Sequence, residues 1–219
     1  MTTPTPHPLT TPRAAALAGV LFGLLFGAAL ILIRTALPAG AEEGAQWLDS
    51  GSTRMRVAAI LMPFAGIAFL WFIGVVRDGF GRLEDKFFSS VFIGAGLMFL
   101  AMMFTAAAIG AGLAASSKDV VDAAAHAEVA TFGQMVLIAL TKTYALRMGA
   151  VFMISLATVW LKTGLMPRWL VIVTYVLALG ILFATDFSMW MTLAFPVWVL
   201  IVSVLLLTKA GVIDLDRDD

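Results

Sequence analysis

The chain has 219 residues, of which 61% are hydrophobic and only 13% carry a charged side chain. A soluble domain of this size needs more polar residues to cover its surface, so the composition excludes an ordinary water-soluble protein and predicts an all-α bundle in a membrane. The 14 basic and 14 acidic residues balance, which argues against nucleic-acid binding, and the absence of cysteine excludes disulfides, thiolate metal sites and a cysteine nucleophile.

The N-terminal region combines a polar tail with a first apolar run. Residues 1–13 are rich in Thr and Pro, which is typical of a disordered tail. The apolar run at 14–33 is long for a cleaved signal peptide, and Arg34 separates it from the small residues 39–41 that resemble a cleavage site. Residues 14–33 are therefore predicted to form a retained first transmembrane helix.

Three glycines in this first span, Gly19, Gly23 and Gly27, are spaced four residues apart. Residues with this spacing share one face of a helix. A face without side chains lets another helix approach closely and gain van der Waals contact, which is how helices associate in lipid. The stripe predicts helix packing, either within the chain or against a partner protein or a second copy.

Five further apolar runs complete a predicted six-span bundle, because a helix needs about 20 apolar residues to cross the hydrocarbon core. They cover residues 57–76, 87–115, 143–161, 169–185 and 187–208. The loops at 37–53 and 116–140 are then on the outer side, and residues 210–219 form an acidic cytoplasmic tail. The last two spans are so close in sequence that a tight antiparallel hairpin is expected.

The region around the fourth span has two interpretations. Between residues 120 and 161 there is no proline, and a cut at Lys142 would give seven spans. A reversal there needs a turn, yet residues 141–144 contain neither Gly nor Pro. One long or bent fourth helix that extends beyond the outer face is therefore preferred, with residues 120–140 in the interface or projecting from it.

The distribution of basic residues predicts the orientation, because short cytoplasmic loops are enriched in Lys and Arg. Six spans with a cytoplasmic N-terminus place most basic residues inside, and Trp160 and Trp169 form an aromatic belt beside them. The prediction is a multi-pass protein of the bacterial inner membrane with both termini in the cytoplasm. The inner group is Arg13, Arg77, Arg82, Lys86, Lys162, Arg168, Lys209 and Arg217, and the outer group is Arg34, Arg54, Arg56, Lys118 and Lys142.

Arg54 and Arg56 are candidates for an anion-binding site. The second helix is expected to begin at a cap formed by Ser52 or Thr53. Two arginines at a helix N-terminus are unfavourable unless an anion compensates their charge. That anion is a loop carboxylate, a lipid phosphate or a ligand, and the candidate carboxylates are those of Glu42, Glu43 and Asp49.

Lys142 and Arg147 are the most informative charges. Counted back from Trp160, Lys142 is expected at the outer interface and Arg147 about 7 Å deeper, with Tyr144 close by. Such a deep charge usually has a partner and faces the bundle interior or a wet cavity. The alternatives are a structural ion pair or snorkelling, and a substrate or lipid-headgroup site. The candidate acidic partners are Glu42, Glu43, Asp49 and Asp186.

Other polar residues give weaker signals. Asp119, Asp122 and His126 can share a helix face and form a weak candidate metal site. Asp186 is expected to cap the last helix. The chain contains no nucleophile elbow, phosphate-binding loop or paired metal-binding histidines, so no enzymatic activity and no cofactor are predicted.

Residues 164–170, Gly-Leu-Met-Pro-Arg-Trp-Leu, carry a resemblance to a known class of proteins. With the Pro-Val-Trp run at 196–198, this segment resembles uncharacterised bacterial, in particular actinobacterial, six-helix integral membrane proteins of unknown function. In that class a similar loop leads into the fifth of six helices. The resemblance implies six helices and adds no chemistry.

Two functions are consistent with these features. The first is a non-catalytic subunit or accessory factor that binds membrane lipids, a membrane protein partner or a second copy of itself. The second is a small transporter or lipid-handling protein in which Arg54, Arg56, Lys142, Tyr144 and Arg147 receive an anionic group in an outward-facing pocket. The predicted spans contain few polar residues that could line a pore, which favours the first function.

Overall fold

The computed structural model describes residues 11–37, 46–80, 86–116, 122–184 and 189–209. This part of the chain is entirely helical, with six helices and no strand. The helices are α1 (Thr11–Ala36), α2 (Gln46–Asp78), α3 (Lys86–Ser116), α4 (Ala123–Thr163), α5 (Arg168–Ala184) and α6 (Ala194–Lys209), with a 3₁₀ turn at Met189–Leu193 before α6.

Five of these six helices, all except α5, are long and apolar enough to cross a membrane. Their surface is also apolar, because large hydrophobic side chains are exposed on every helix. Water would be a poor solvent for such a surface, and lipid is a good one. One such side chain from each helix in turn is Leu17, Ile60, Leu97, Phe132, Phe183 and Ile201.

The start of α2 differs from the sequence-based expectation, and both α2 and α6 contain a proline. The expected start of α2 at Ser52 or Thr53 is wrong, because the helix begins at Gln46. Pro63 lies inside α2, and Pro196 is the third residue of α6. A proline in the first turn of a helix removes a donor that has no intrahelical acceptor, so Pro196 fits there without breaking the helix.

The helices form a ring around a common centre. α1 packs against α2 and α6, and α3 packs between α2 and α4. The expected tight hairpin of the last two helices is wrong: α5 lies against α4 and α6 lies against α1. A buried hydrogen bond of 3.0 Å from Trp198 Nε1 to Thr174 Oγ1 joins α5 and α6.

The centre of the ring is filled by aromatic side chains from all five long helices. Phe69 of α2 has ring neighbours on four other helices, with centroid separations of 4.5 to 5.8 Å. Aromatic rings bury large areas and prefer the offset and edge-to-face contacts seen here. We call the five central rings, all fully buried, the ring cluster: Phe22, Phe69, Phe99, Phe152 and Phe195.

α4 runs antiparallel to α3 along the whole length of α3. A Cβ atom on Gly133 would lie 2.6 Å from Leu113 Cδ1, and near the other end the Lys162 ammonium lies 4.5 Å from the centroid of the Phe88 ring. The close approach at Gly133 places the end of α3 near Ala130. About two turns of α4 therefore extend past the last residue of α3.

Candidate functional site

The main irregularity of the bundle is a π-helical turn inside α4, at Ala139–Ala145. It contains Lys142 and Tyr144, and Arg147 follows in the next turn. The helix does not break at Lys142; it widens there to accommodate one extra residue per turn. Wide turns of this kind are rare and occur frequently at functional sites.

Two side chains of this segment donate hydrogen bonds to backbone carbonyls. Thr141 is buried, and its hydroxyl donates to Leu137 O at 2.8 Å. Arg147 donates from its guanidinium to Thr143 O at 3.2 Å. Both bonds reach the carbonyl four residues earlier in the chain. The polar residues of this segment therefore hold its backbone as well as present charge.

Exposure differs among the three predicted residues of this segment. Tyr144 is 56% exposed, whereas Lys142 and Arg147 are half-buried. Half-burial leaves part of each cationic side chain accessible while its stem packs against the bundle. The segment therefore carries two cationic side chains and a phenol that are at least partly accessible.

A second irregular element packs beside the π-helical turn. This element is the 3₁₀ turn Met189–Leu193, in which Thr192 is buried. Two non-α turns on neighbouring segments thus meet at one place in the bundle. Asp186, predicted as a cap and as an acidic partner, lies outside the described residues, as do Glu42 and Glu43.

Arg54 and Arg56 lie on α2, whereas Lys142, Tyr144 and Arg147 lie on α4. Both are exposed, and the guanidinium of Arg54 donates to Thr35 O at the end of α1. They are eight and ten residues after the start of α2, beyond the first turn in which a helix dipole acts. α2 packs on α1 and α3, whereas the π-helical turn packs on α3 and the 3₁₀ turn. Both α2 and the π-helical turn pack on α3.

The glycine stripe of α1 contacts α6 of the same chain at two of its three positions. A Cβ atom on Gly19 would overlap Ser203 Oγ, and one on Gly23 would lie 2.6 Å from Leu200 Cδ2. A Cβ on Gly27 would meet no atom within 4 Å. The close helix approach is thus made inside the chain at Gly19 and Gly23, and Gly27 lies in open space.

Two of the three residues of the weak candidate metal site, Asp122 and His126, lie at the start of α4. Asp122 caps α4 by accepting a hydrogen bond of 2.9 Å from the Ala124 backbone N–H, and His126 is half-buried in the next turn. Asp119 lies outside the described residues. In the described ranges no three His, Asp or Glu side chains come close enough to hold a metal ion together.

Sequence reasoning missed two features of the interior. The ring cluster was not predicted, because phenylalanines on separate helices give no local signal of their meeting. The Trp198–Thr174 hydrogen bond was missed for the same reason, since 24 residues separate its partners. A buried indole needs an acceptor, so an inward-facing Trp198 could have suggested that one exists.

No protein-family model, no curated protein and no solved structure matches this chain. The function is therefore argued from the geometry of the bundle and of the π-helical turn.

Proposed function

We propose that this chain is a non-catalytic integral membrane protein that crosses the bilayer six times and binds a membrane partner or lipid. In this proposal it is an accessory subunit or factor of a bacterial inner membrane, with both termini in the cytoplasm. The exposed apolar side chains on all six helices support the bilayer environment. α5 has 17 residues, about 25 Å of helix, and sits at the lower limit of length for a span.

The observation that carries the proposal is the ring cluster. A transport path along the bundle axis would have to displace five fully buried phenylalanine rings contributed by all the long helices. Protein interiors are close-packed, and removing one such side chain typically destabilises a protein by about 3–5 kcal/mol. A packed axis favours a binding or scaffolding role, in which the surface of the bundle is the functional part.

The basic segment of α4 supports lipid or anion binding at that surface. Arg147 is five residues from Phe152, about 7 Å along the helix, and Lys142 is ten residues away, about 15 Å. With the ring cluster at mid-depth of a core about 30 Å thick, Lys142 reaches the headgroup boundary. Arg147 is then within the hydrocarbon layer, where a guanidinium needs anionic or polar partners.

A small lipid-handling protein is the second candidate function. The observation that favours it is the π-helical turn itself, because irregular backbone at membrane depth is tolerated where it is buried in protein or lines a wet cavity. In this alternative, Lys142, Tyr144 and Arg147 receive the phosphate of a lipid at the side of the bundle. The axial ring cluster remains packed in both candidates.

Co-purification tests the proposal. The chain is extracted from its native membrane in a mild detergent, and native mass spectrometry identifies what stays bound. A stoichiometric membrane protein supports the accessory role, and a bound anionic lipid supports lipid binding. The proposal is contradicted if the chain carries neither a membrane protein nor a lipid and stays monodisperse in buffer without detergent.

Arg147→Ala tests the basic segment directly. We expect this variant to retain less anionic lipid than the unchanged protein while its helix content, measured by circular dichroism, stays the same. Arg168→Ala is the matched control, because Arg168 is an exposed arginine at the start of α5. Equal lipid retention by both variants and the unchanged protein would rule out the basic segment as the lipid site.

A further inference from the structure

α5 runs antiparallel to the C-terminal half of α4, and the short turn between them fixes their register. Thr163 ends α4 and Arg168 begins α5, so these two residues lie opposite each other. The hydroxyls of Thr158 and Tyr175 lie 2.7 Å apart, which agrees with this register because both residues are a similar number of positions from the turn. Every residue of α5 therefore has a defined height along α4.

The far end of α5 coincides with Arg147 of α4. Ala184, the last residue of α5, is about 24 Å along the helix from Arg168. Arg147 is likewise about 24 Å along α4 from Thr163. Arg147 also precedes Thr158 by about three full turns, so the two residues share the face of α4 on which α5 packs. The lipid-facing side formed by α5 is therefore apolar for only about 24 Å, from Arg168 to Arg147.

The side of the bundle formed by α2 has a taller apolar surface. Its exposed arginines Arg56 and Arg77 are separated by about 32 Å of helix. This height matches a hydrocarbon core about 30 Å thick, whereas the height at α5 is about 6 Å too small for such a core. Tilting the bundle shortens every height, so a tilt cannot supply the missing length at α5.

The end of α5 needs polar surroundings even when its side chains are paired. The last carbonyls of a helix have no donor within the helix, and a lipid-exposed loop does not occur inside the hydrocarbon layer. The sequence continues after α5 with the polar residues Thr185 and Asp186, and Arg147 adds a half-buried charge at the height of the helix end. In a bilayer of ordinary thickness this helix end would lie within hydrocarbon.

We infer that the bilayer is thinned beside α5 at the Arg147 end, so that phospholipid headgroups and water reach the end of the helix. A bilayer accommodates an apolar segment that is too short by thinning locally, at a modest cost. In the proposed orientation this is the outer side of the membrane. The inference rests on the six spans of the proposed function and deepens it: headgroups reach Arg147 because the lipid surface descends to it, without a cavity in the bundle.

Single cysteines test the thinning, because the chain has no cysteine of its own. Phe183→Cys lies about 23 Å from Arg168 along α5, and Ile60→Cys lies about 26 Å from Arg77 along α2. The two native side chains are 78% and 64% exposed, so both substitutions are on the lipid-facing surface. In a bilayer of uniform thickness Ile60→Cys is the nearer of the two to the outer surface, whereas thinning beside α5 reverses that order.

Each variant is reconstituted in dioleoylphosphatidylcholine vesicles, and its helix content is checked by circular dichroism. The measurement is the rate of labelling by a charged methanethiosulfonate reagent, which reacts with the thiolate and therefore only where water reaches the sulfur. We expect Phe183→Cys to be labelled at least about tenfold faster than Ile60→Cys. Val176→Cys, at a side chain that is 66% exposed and about 12 Å from Arg168, is the control for the middle of α5 and should stay unlabelled.

Two results would overturn the inference, and they differ in what they say about the proposed function. If Phe183→Cys is labelled no faster than Ile60→Cys while Val176→Cys stays unlabelled, the bilayer beside α5 has ordinary thickness and the six spans stand. If Val176→Cys is labelled as fast as Phe183→Cys, α5 does not lie in the bilayer, and the six-span placement fails together with the thinning.

Discussion

The close approach of α1 and α6 at Gly19 gives the sharpest prediction about stability. A methyl group at this position would overlap Ser203 Oγ and lie 2.8 Å from Phe72 Cδ2, whereas carbon atoms in contact are normally about 3.5–4.0 Å apart. Overpacking of this kind costs about 1–3 kcal/mol, and the helix propensity gained from Gly to Ala returns about 0.5–1 kcal/mol. We expect Gly19→Ala to lower the free energy of unfolding by about 1–2 kcal/mol.

The same stripe provides the control. A methyl group on Gly27 meets no atom within 4 Å, so Gly27→Ala should leave the free energy of unfolding unchanged or raise it by up to about 1 kcal/mol. Both variants are unfolded by SDS in mixed micelles, with circular dichroism as the readout. Equal effects at Gly19 and Gly27 would refute the idea that α1 touches α6 at the former.

Ser203→Ala tests whether the hydroxyl is the obstacle. Ser203 Oγ is buried and has no hydrogen-bond partner in the part of the chain that the structure describes, so its removal alone should be close to neutral. In the Gly19→Ala background it should restore at least half of the lost stability, with Phe72 responsible for the rest. A double-mutant cycle with no coupling between Gly19 and Ser203 would contradict their contact.

The remaining predictions concern one buried hydrogen bond and one backbone turn. Trp198→Phe removes the donor to Thr174 Oγ1 and should lower the free energy of unfolding by about 1–3 kcal/mol, whereas Trp169→Phe, at an exposed indole, should change it by less than about 0.5 kcal/mol. Gly164 ends α4 with φ +68°, so Gly164→Ala should cost about 1 kcal/mol and Gly164→Asn less, because asparagine tolerates the left-handed region. The free energies of unfolding of both pairs are measured by SDS unfolding. An equal loss of stability in Trp198→Phe and Trp169→Phe would count against the hydrogen bond. Equal stability of Gly164→Ala and Gly164→Asn would count against the left-handed conformation at 164.

Apolar run length made the helical architecture predictable. A run such as 87–115 has no alternative to a helix in lipid, because its backbone groups can be satisfied only within the segment. The start of α2 was not predictable in the same way. Residues 46–50 carry no strong cap or apolar pattern, and the Ser52–Thr53 pair offered a misleading capping signal.

The arrangement of the helices depends on contacts that leave little trace in one sequence. Adjacent spans were expected to pair as a hairpin, yet α5 pairs with α4 and α6 with α1. The glycines of α1 explain the latter, because Gly19 and Gly23 allow α6 to approach closely. The stripe was visible in the sequence, but its partner helix was not. Small residues indicate that a contact exists and do not identify the other side.

The π-helical turn shows how a local conflict in the sequence can point to function. Residues 139–145 contain two β-branched threonines and a lysine, and neither Gly nor Pro. Most of the chain is locally consistent with straight apolar helices, so an element that departs from this pattern needs a compensating gain. In the proposed function that gain is binding: the wide turn carries Lys142 at the headgroup boundary, one and a half turns before Arg147. Because the turn ends seven residues before Phe152, about 10 Å along α4, ligand exchange there would leave the ring cluster undisturbed.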